Sequence, residues 1–147
     1  MSQIMTDVNA QKPSFNAPVA AATVADVIRP VSTVRQHDHV AAAAYLMKHA
    51  GTTALLVADA QTSQPTGIIT EADVARAIAD GKDVNDAWVD AAMTTRPVIT
   101  PTTSIGDAAK IMTAGHFHHL PATGDTGLLG VVDIIDVCQA LINAEEG

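Results

Sequence analysis

The sequence contains two copies of a short segment in which a buried strand turns directly into a helix. The first copy is residues 67–73, GIITEAD, and the second is residues 130–136, GVVDIID. In each copy β-branched residues follow a glycine, an acid comes six residues after that glycine, and apolar residues then continue at helical spacing. The duplication constrains the chain to fold as two similar units.

The similarity between the two copies extends well beyond these junctions. An apolar stripe with the spacing i, i+3, i+4, i+7 begins at Val40 and recurs from Ile105. Each copy predicts a short helix, a short strand, a helix, a strand, a hairpin, a strand and a helix. We expect a mobile tail at residues 1–22, a first repeat at residues 23–82 and a second repeat at residues 83–147.

A unit of about 60 residues buries its surface poorly when it stands alone. Two such units, each with one exposed sheet face, are expected to pack together through those faces. The predicted fold is therefore α/β (α+β), with two β-α-β-β-α repeats related by pseudo-twofold symmetry.

Composition excludes several classes of partner. The 147 residues contain 8 Lys and Arg against 16 Asp and Glu, a formal net charge of −8, which disfavours nucleic acid and anionic membrane surfaces. Cys138 is the only cysteine, so no intrachain disulfide forms, and we expect a buried, inert thiol. No apolar run is long enough for a membrane helix and no signal peptide is evident, so a cytoplasmic location is expected.

These features together resemble a tandem pair of cystathionine-β-synthase-type (CBS) domains, the Bateman module. The resemblance covers roughly residues 23–144. It depends on the Gly-h-h-Thr/Ser-x-x-Asp form of the junctions, on residues 118–121, HHLP, which are similar to a basic-basic-Leu-Pro segment, and on the repeat length.

The resemblance implies a disc-like module whose sheets meet and leave two clefts for adenine nucleotides or related adenosyl ligands. AMP, ADP, ATP and S-adenosylmethionine are the candidate ligands, and no cofactor is required. It also implies regulation of a protein partner, which the sequence does not identify, and association of two modules into a homodimer. No nucleophile elbow, phosphate-binding loop or catalytic triad is recognisable, so we predict no enzyme and no catalytic residue.

The resemblance further implies roles for particular residues. Asp73 and Asp136 would hold ribose hydroxyls, and Thr70 would contact ribose or phosphate. The bases would lie against backbone groups near four residues, namely Val34, Leu56, Ile99 and Pro121.

The first junction also has a purely structural explanation. Thr70 and Asp73 have the spacing of a capping box, in which each side chain bonds the backbone of the other residue. A helix N-terminus is at the same time a natural anion site, so capping and ligand binding are compatible.

The second junction departs from the pattern because Asp133 stands where Thr or Ser is preferred. A carboxylate there repels a phosphate by ~1 kcal/mol or more, although it is a good helix N-cap. We therefore expect the second cleft to be impaired for phosphates, or to select a less charged ligand such as a nucleoside.

Candidate phosphate-binding cations are unevenly distributed. His118 and His119 match basic positions of the family, whereas their first-repeat equivalents, Thr53 and Ala54, carry no charge. Arg35 and Arg96, near the starts of the first strands, are the best-placed arginines. Whether the fold brings the histidines to the Thr70 junction is left open by the sequence.

The sequence also admits two alternative functions. The histidines at 116, 118 and 119, with His37 and His39, lack the spacing of a zinc site, so no metal site is predicted. The second alternative is a scaffold that binds a partner protein and has no occupied small-molecule site.

Overall fold

The structure is a computed structural model that describes residues 22–62 and 64–146. The predicted N-terminal tail therefore lies outside the described residues, apart from Ala22. The carbonyl of Ala22 accepts a hydrogen bond from the backbone N–H of Ile105, with an N–O distance of 2.8 Å.

The order of elements agrees with the prediction from the sequence. The first repeat comprises a 3₁₀ helix at Val24–Val27, β1 at Thr33–Arg35, α1 at Val40–Ala50, β2 at Ala54–Ala58, β3 at Pro65–Thr70 and α2 at Glu71–Ala79. The second comprises α3 at Val89–Ala92, α4 at Ile105–Gly115, β4 at His119–Gly124, β5 at Gly127–Asp133 and α5 at Ile134–Glu146. The expected first strand of the second repeat is reduced to one parallel bridge between Ile99 and Ala122.

Two small sheets meet in the middle of the molecule. In the first sheet β1 is parallel to β2, which is antiparallel to β3, and the second sheet is the antiparallel pair of β4 and β5. Leu56 and Ile68 of the first sheet are buried against Val131 of the second. The predicted α/β fold of two repeats packed through their sheets is confirmed.

The opening segment of each repeat packs against the other repeat. Val24 lies in the core formed by α4, α5 and the second sheet, whereas Val89 lies in the core of the first repeat. Backbone bridges join Arg29 to Val131 and Thr94 to Ile68. The two repeats therefore exchange their opening segments, and each core requires both of them.

The glycines that begin the two repeated segments permit this exchange. A Cβ on Gly67 would lie 2.7 Å from the carbonyl oxygen of Thr94. A Cβ on Gly130 would lie 2.1 Å from that of Arg29. Both distances are far shorter than van der Waals contact, so each glycine is required by the close approach of a crossing segment.

Cys138 is exposed on α5, so the expectation of a buried thiol was wrong. Cys138 lies on the exposed side of α5, whereas the neighbouring Val137 is buried. Among the described residues, no helix is both long and apolar enough to cross a membrane.

Candidate functional site

A cleft of about 580 Å³, here called the first cleft, opens beside the junction of β3 and α2. It is lined by residues of both repeats: Thr53, Thr70, Glu71, Ala72, Asp73, Arg76, Arg96, His116, His118, His119, Asp133, Ile134 and Ile135. The fold thus brings the two histidines to the Thr70 junction, which answers the question that the sequence left open. Its volume is within the range of small-molecule sites, roughly 300–1,000 Å³.

Asp73 is a buried acid whose oxygens are both engaged by the protein. Its side chain is 1% exposed. Oδ2 accepts from the backbone N–H of Thr70 at 2.9 Å, and the Asp73 N–H donates to Thr70 Oγ1 at 3.2 Å. These two bonds form the predicted capping box at the start of α2. Oδ1 accepts from Nη1 of Arg76 at 2.8 Å, so an exposed guanidinium covers the acid.

Arg96 is held in place within the first cleft. Nη1 donates to the carbonyl of His119 at 2.9 Å, Nε donates to Thr94 Oγ1 at 3.2 Å, and the guanidinium lies over the ring of Phe117. Partial burial lowers the pKa of Arg96 from its ordinary value, while the charge of Asp73 acts in the opposite direction. This arginine is preorganised and keeps unused N–H donors.

The two histidines have different surroundings. His119 is mostly buried, and its Nε2 lies 2.9 Å from Thr53 Oγ1 and 3.4 Å from Asp133 Oδ2. Burial lowers the pKa of His119, which outweighs the opposing effect of Asp133. Its Nδ1 is buried without a hydrogen-bond partner. His118 is exposed on the rim of the cleft, and it is therefore the histidine that is free to meet a ligand.

A second cleft of about 510 Å³ lies at the pseudo-symmetric position. Its lining is Arg29, Pro30, Val31, Ala50, Gly51, Thr52, Thr53, Ala54, His119, Val131 and Asp133. Thr53 and Ala54 stand where the first cleft has its histidine pair, and Val31 stands where it has Arg96. Asp133 caps α5, since its Oδ1 accepts from the N–H of Ile135 at 2.7 Å.

The acid of the second junction, Asp136, does not itself line the second cleft but is paired with Arg29, which does. Nε of Arg29 lies 2.5 Å from Oδ2, and Nη2 lies 2.7 Å from Oδ1. The hydrogen bond to Asp136 raises the pKa of Arg29 above its ordinary value. Sequence reasoning missed both arginines that engage the junction acids. The i, i+3 spacing could have indicated Arg76, but Arg29 is distant in sequence and only the crossing of the opening segment brings it close.

The other predicted residues lie outside both clefts. Arg35 borders a separate surface cavity with His37 and Asp59. Val34 and Leu56 are buried in two different hydrophobic clusters. The carbonyl of Pro121 accepts a hydrogen bond from the N–H of Ile99, so these two backbone groups already pair with each other within the second repeat.

No group of three or more His, Cys, Asp or Glu side chains that could hold a metal ion occurs among the described residues. The three histidines of residues 116–119 all line the first cleft but belong to different elements. His116 caps α4 with a left-handed backbone, at φ 56°, and His119 begins β4.

The duplicated βαββα units, the exchanged opening segments and the paired clefts at strand-to-helix junctions define a tandem-repeat α/β module. The sequence model of the CBS domain matches residues 24–80 and again residues 86–143. The chain belongs to the CBS domain family, as the junction motifs predicted.

Three similar proteins illustrate this membership. The mitochondrial CBS domain-containing protein CBSX3 of Arabidopsis thaliana is 35% identical over 81 residues, which span 52% of this chain but only 39% of that protein. A CBS domain protein from Pyrobaculum aerophilum, solved in complex with AMP, superposes with a TM-score of 0.76 at 18% identity, over 85% of this chain and 99% of that one. The CBS domain pair of the protein MJ0100, solved with 5′-methylthioadenosine and S-adenosyl-L-methionine, gives 0.74 at 21% identity, over 85% and 98%.

Proposed function

We propose that this protein is a regulatory module that binds an adenosyl ligand in its first cleft and passes the ligand state to a partner protein. The observation that carries the proposal is the meeting of two half-sites from different repeats. Thr70 and Asp73 come from the first repeat, whereas Arg96 and His118 come from the second. A sugar-binding acid and an anion-binding pair thus face one cavity of suitable size.

The charges of the first cleft favour a ligand with at most one phosphate. Glu71, Asp73 and Asp133 contribute three carboxylates, against which Arg76 and Arg96 contribute two permanent cations. The ribose diol suits the carboxylate of Asp73 once the exposed Arg76 side chain swings away. A triphosphate would bring four negative charges into this acidic surrounding, so AMP, adenosine derivatives and S-adenosylmethionine are preferred over ADP and ATP.

Solved relatives with this fold support the ligand class. One of them was crystallised with AMP and another with 5′-methylthioadenosine and S-adenosyl-L-methionine. In the present chain the exposed side chain of Ile135, together with Ile134, provides an apolar wall of the first cleft on which an adenine ring would pack. No catalytic step is proposed, because ligand binding alone suffices for regulation.

The test is isothermal titration calorimetry with AMP, ADP, ATP, adenosine and S-adenosylmethionine. Arg96→Gln should weaken AMP binding by about tenfold or more and leave adenosine binding nearly unchanged, because only the phosphate contact is lost. Arg35→Gln is the matched control, since Arg35 is an exposed arginine outside both clefts. If Arg35→Gln lowers AMP affinity as much as Arg96→Gln, the assignment of the first cleft is wrong.

The internal pairing of both junction acids favours a second candidate, a scaffold without an occupied ligand site. Arg76 engages Asp73 and Arg29 engages Asp136, so both acids are satisfied without a ligand. Thermal-shift measurements separate the candidates, since a ligand at 100 times its Kd stabilises by about 2.7 kcal/mol. A response to none of the adenosyl compounds would favour the scaffold, and Arg76→Gln would then not restore binding.

We further propose that two copies associate through their helical surfaces into a homodimer. Tyr45 and Ile78 are 62% and 59% exposed beside an apolar groove between α1 and α2. Ile135 and Ile142 on α5 are similarly exposed, at 69% and 50%. Size-exclusion chromatography with light scattering should show a dimer that Ile78→Asp converts to a monomer. The protein partner and the cytoplasmic location remain predictions from the sequence.

A further inference from the structure

We propose that Arg29 fills the ribose position of the second cleft, so that each chain binds a single adenosyl ligand, in the first cleft. This inference rests on the function proposed above, because it takes the junction acids as the ribose-binding groups. It goes beyond that proposal by assigning the stoichiometry, and by naming the residue that closes one of the two clefts.

The guanidinium of Arg29 satisfies Asp136 in the way that a ligand diol would. Two N–H groups donate to the two carboxylate oxygens, at 2.5 and 2.7 Å. A vicinal diol also offers two donors to the same two oxygens. The guanidinium bonds are assisted by charge, which makes them stronger than those from neutral hydroxyl groups. A diol therefore competes poorly for Asp136.

The backbone of Arg29 is fixed, so its side chain begins from a defined position. Its N–H donates to the carbonyl of Val131 and its carbonyl accepts from the N–H of Val131, both at 2.9 Å. This pair lies against β5, one residue beyond Gly130, whose missing side chain admits the crossing segment. Arg29 therefore belongs to the exchanged opening segment, and this position brings its side chain within hydrogen-bonding distance of Asp136.

The first cleft has no equivalent closure. The counterpart of Arg29 is Thr94, a neutral residue whose hydroxyl accepts from Arg96. Asp73 is instead met by Arg76, through one bond at 2.8 Å from the same helix. Both guanidiniums are exposed, at 58% for Arg76 and 67% for Arg29, so the pairs differ in the number of bonds and not in exposure. A ligand can displace the single bond of Arg76 more readily than the two-point pair of Arg29.

The second repeat also lacks a local cation that could replace Arg29. Gln139 occupies the position equivalent to Arg76, and its amide donates to Asn143 at 2.9 Å. Asp133 adds a second carboxylate to this cleft. Removal of Arg29 would therefore leave Asp136 open to a diol. Asp133 lines both clefts, but the second cleft has Val31 where the first has Arg96 to offset the carboxylates, so the opened cleft should accept adenosine and reject AMP.

The experiment is calorimetric titration of AMP and adenosine into the wild-type chain, Arg29→Thr and the double variant Arg29→Thr, Asp136→Asn. Threonine is the residue that the second repeat carries at the equivalent position, Thr94. We expect one AMP per wild-type chain. Arg29→Thr should gain a second site that binds adenosine about tenfold or more tightly than AMP, and the double variant should lose that site. Arg76→Gln is the matched control, because it should alter affinity without altering the number of sites.

The outcomes separate this inference from the proposed function. Two AMP molecules per wild-type chain would overturn the inference, and so would a folded Arg29→Thr chain without a second adenosine site. A wild-type chain that binds nothing would contradict the proposed function, yet a gain of one adenosine site in Arg29→Thr would still support the role of Arg29. If Arg29→Thr does not unfold cooperatively, Arg29→Lys replaces it. Lysine keeps the charge but not the two-point geometry, so it should yield a weaker second site, and its absence would count against the inference.

Discussion

Substitution of Gly130 by alanine tests the exchange of opening segments on which both clefts depend. The added Cβ would lie 2.1 Å from the carbonyl oxygen of Arg29 and 2.7 Å from its carbonyl carbon. Both atoms belong to the backbone, so no side-chain rotation relieves the clash. The crossing segment must therefore move by more than 1 Å to reach an ordinary contact distance of roughly 3.5 Å.

That movement would break the two 2.9 Å bonds between Arg29 and Val131. Each backbone hydrogen bond contributes ~0.5–1.5 kcal/mol, and overpacking of a filled site costs about 1–3 kcal/mol. We expect Gly130→Ala to lower the free energy of unfolding by about 2–6 kcal/mol, a large part of the ~5–15 kcal/mol that is typical of a folded domain.

Urea unfolding, followed by circular dichroism, provides the measurement, with Gly124→Ala as the control. A Cβ on Gly124 would meet only the flexible end of Leu129, at 3.0 Å, so this variant should lose much less stability. Gly67→Ala should be intermediate, because its closest contact is the Thr94 carbonyl oxygen at 2.7 Å. Equal stability of Gly130→Ala and Gly124→Ala would refute the proposed requirement for close approach.

Three further predictions concern single residues. Burial lowers the pKa of His119 below its ordinary value of 6.5, so the folded state resists protonation of this ring, and the resulting stability is present above pH 6.5 and lost as the pH falls. The urea midpoint of the wild-type chain should therefore drop between about pH 7.5 and 5.5, and it should drop by less in His119→Asn. Equal drops in the two proteins would contradict this cause. Asp73→Ala removes half of the capping box and should lower the free energy of unfolding in urea, without ligand, by about 1–2 kcal/mol. Arg76→Ala changes an exposed side chain and should lower it far less. Equal losses of stability would contradict the capping role of Asp73. Leu56→Ala leaves a cavity between the sheets and should lower the free energy of unfolding by about 2–5 kcal/mol. Lys48→Ala, on the surface, is the control. A smaller loss of stability in Leu56→Ala than in this control would show that the sheets do not meet at Leu56.

The fold could be predicted from the sequence because the duplication constrained it twice. Each copy contains a strand-to-helix junction, at Gly67 or Gly130, an apolar stripe and a hairpin. An element that is uncertain in one copy can therefore be assigned from its counterpart in the other. The strand expected near Ile99 was the exception. Its tertiary partner, Ala122, supports only one bridge, and local propensity does not reveal how far such pairing continues.

The candidate site could be predicted only in part, because its contacts are long-range. Thr70, Asp73, His118 and His119 were identified from motif positions, and the fold places all four around one cleft. The capping-box bonds between Thr70 and Asp73 were predicted, whereas Arg76 as a partner of Asp73 and Thr53 as a partner of His119 were not. The pairing of Arg29 with Asp136 depends on a chain crossing, and no local pattern in the sequence encodes a crossing.

The differences between the repeats are concentrated in one cleft. Each cleft is built from both repeats, so changes in both repeats contribute to the same asymmetry. Val31 replaces the cation equivalent to Arg96, and Asp133 replaces the hydroxyl equivalent to Thr70. Under the proposed function, a ligand between Asp73 and Arg96 would contact both repeats and stabilise one arrangement of them. If Arg29 closes the second cleft as proposed, the ligand-dependent contact between the repeats is the one at the first cleft. Ligand binding there would then control the arrangement of the two repeats.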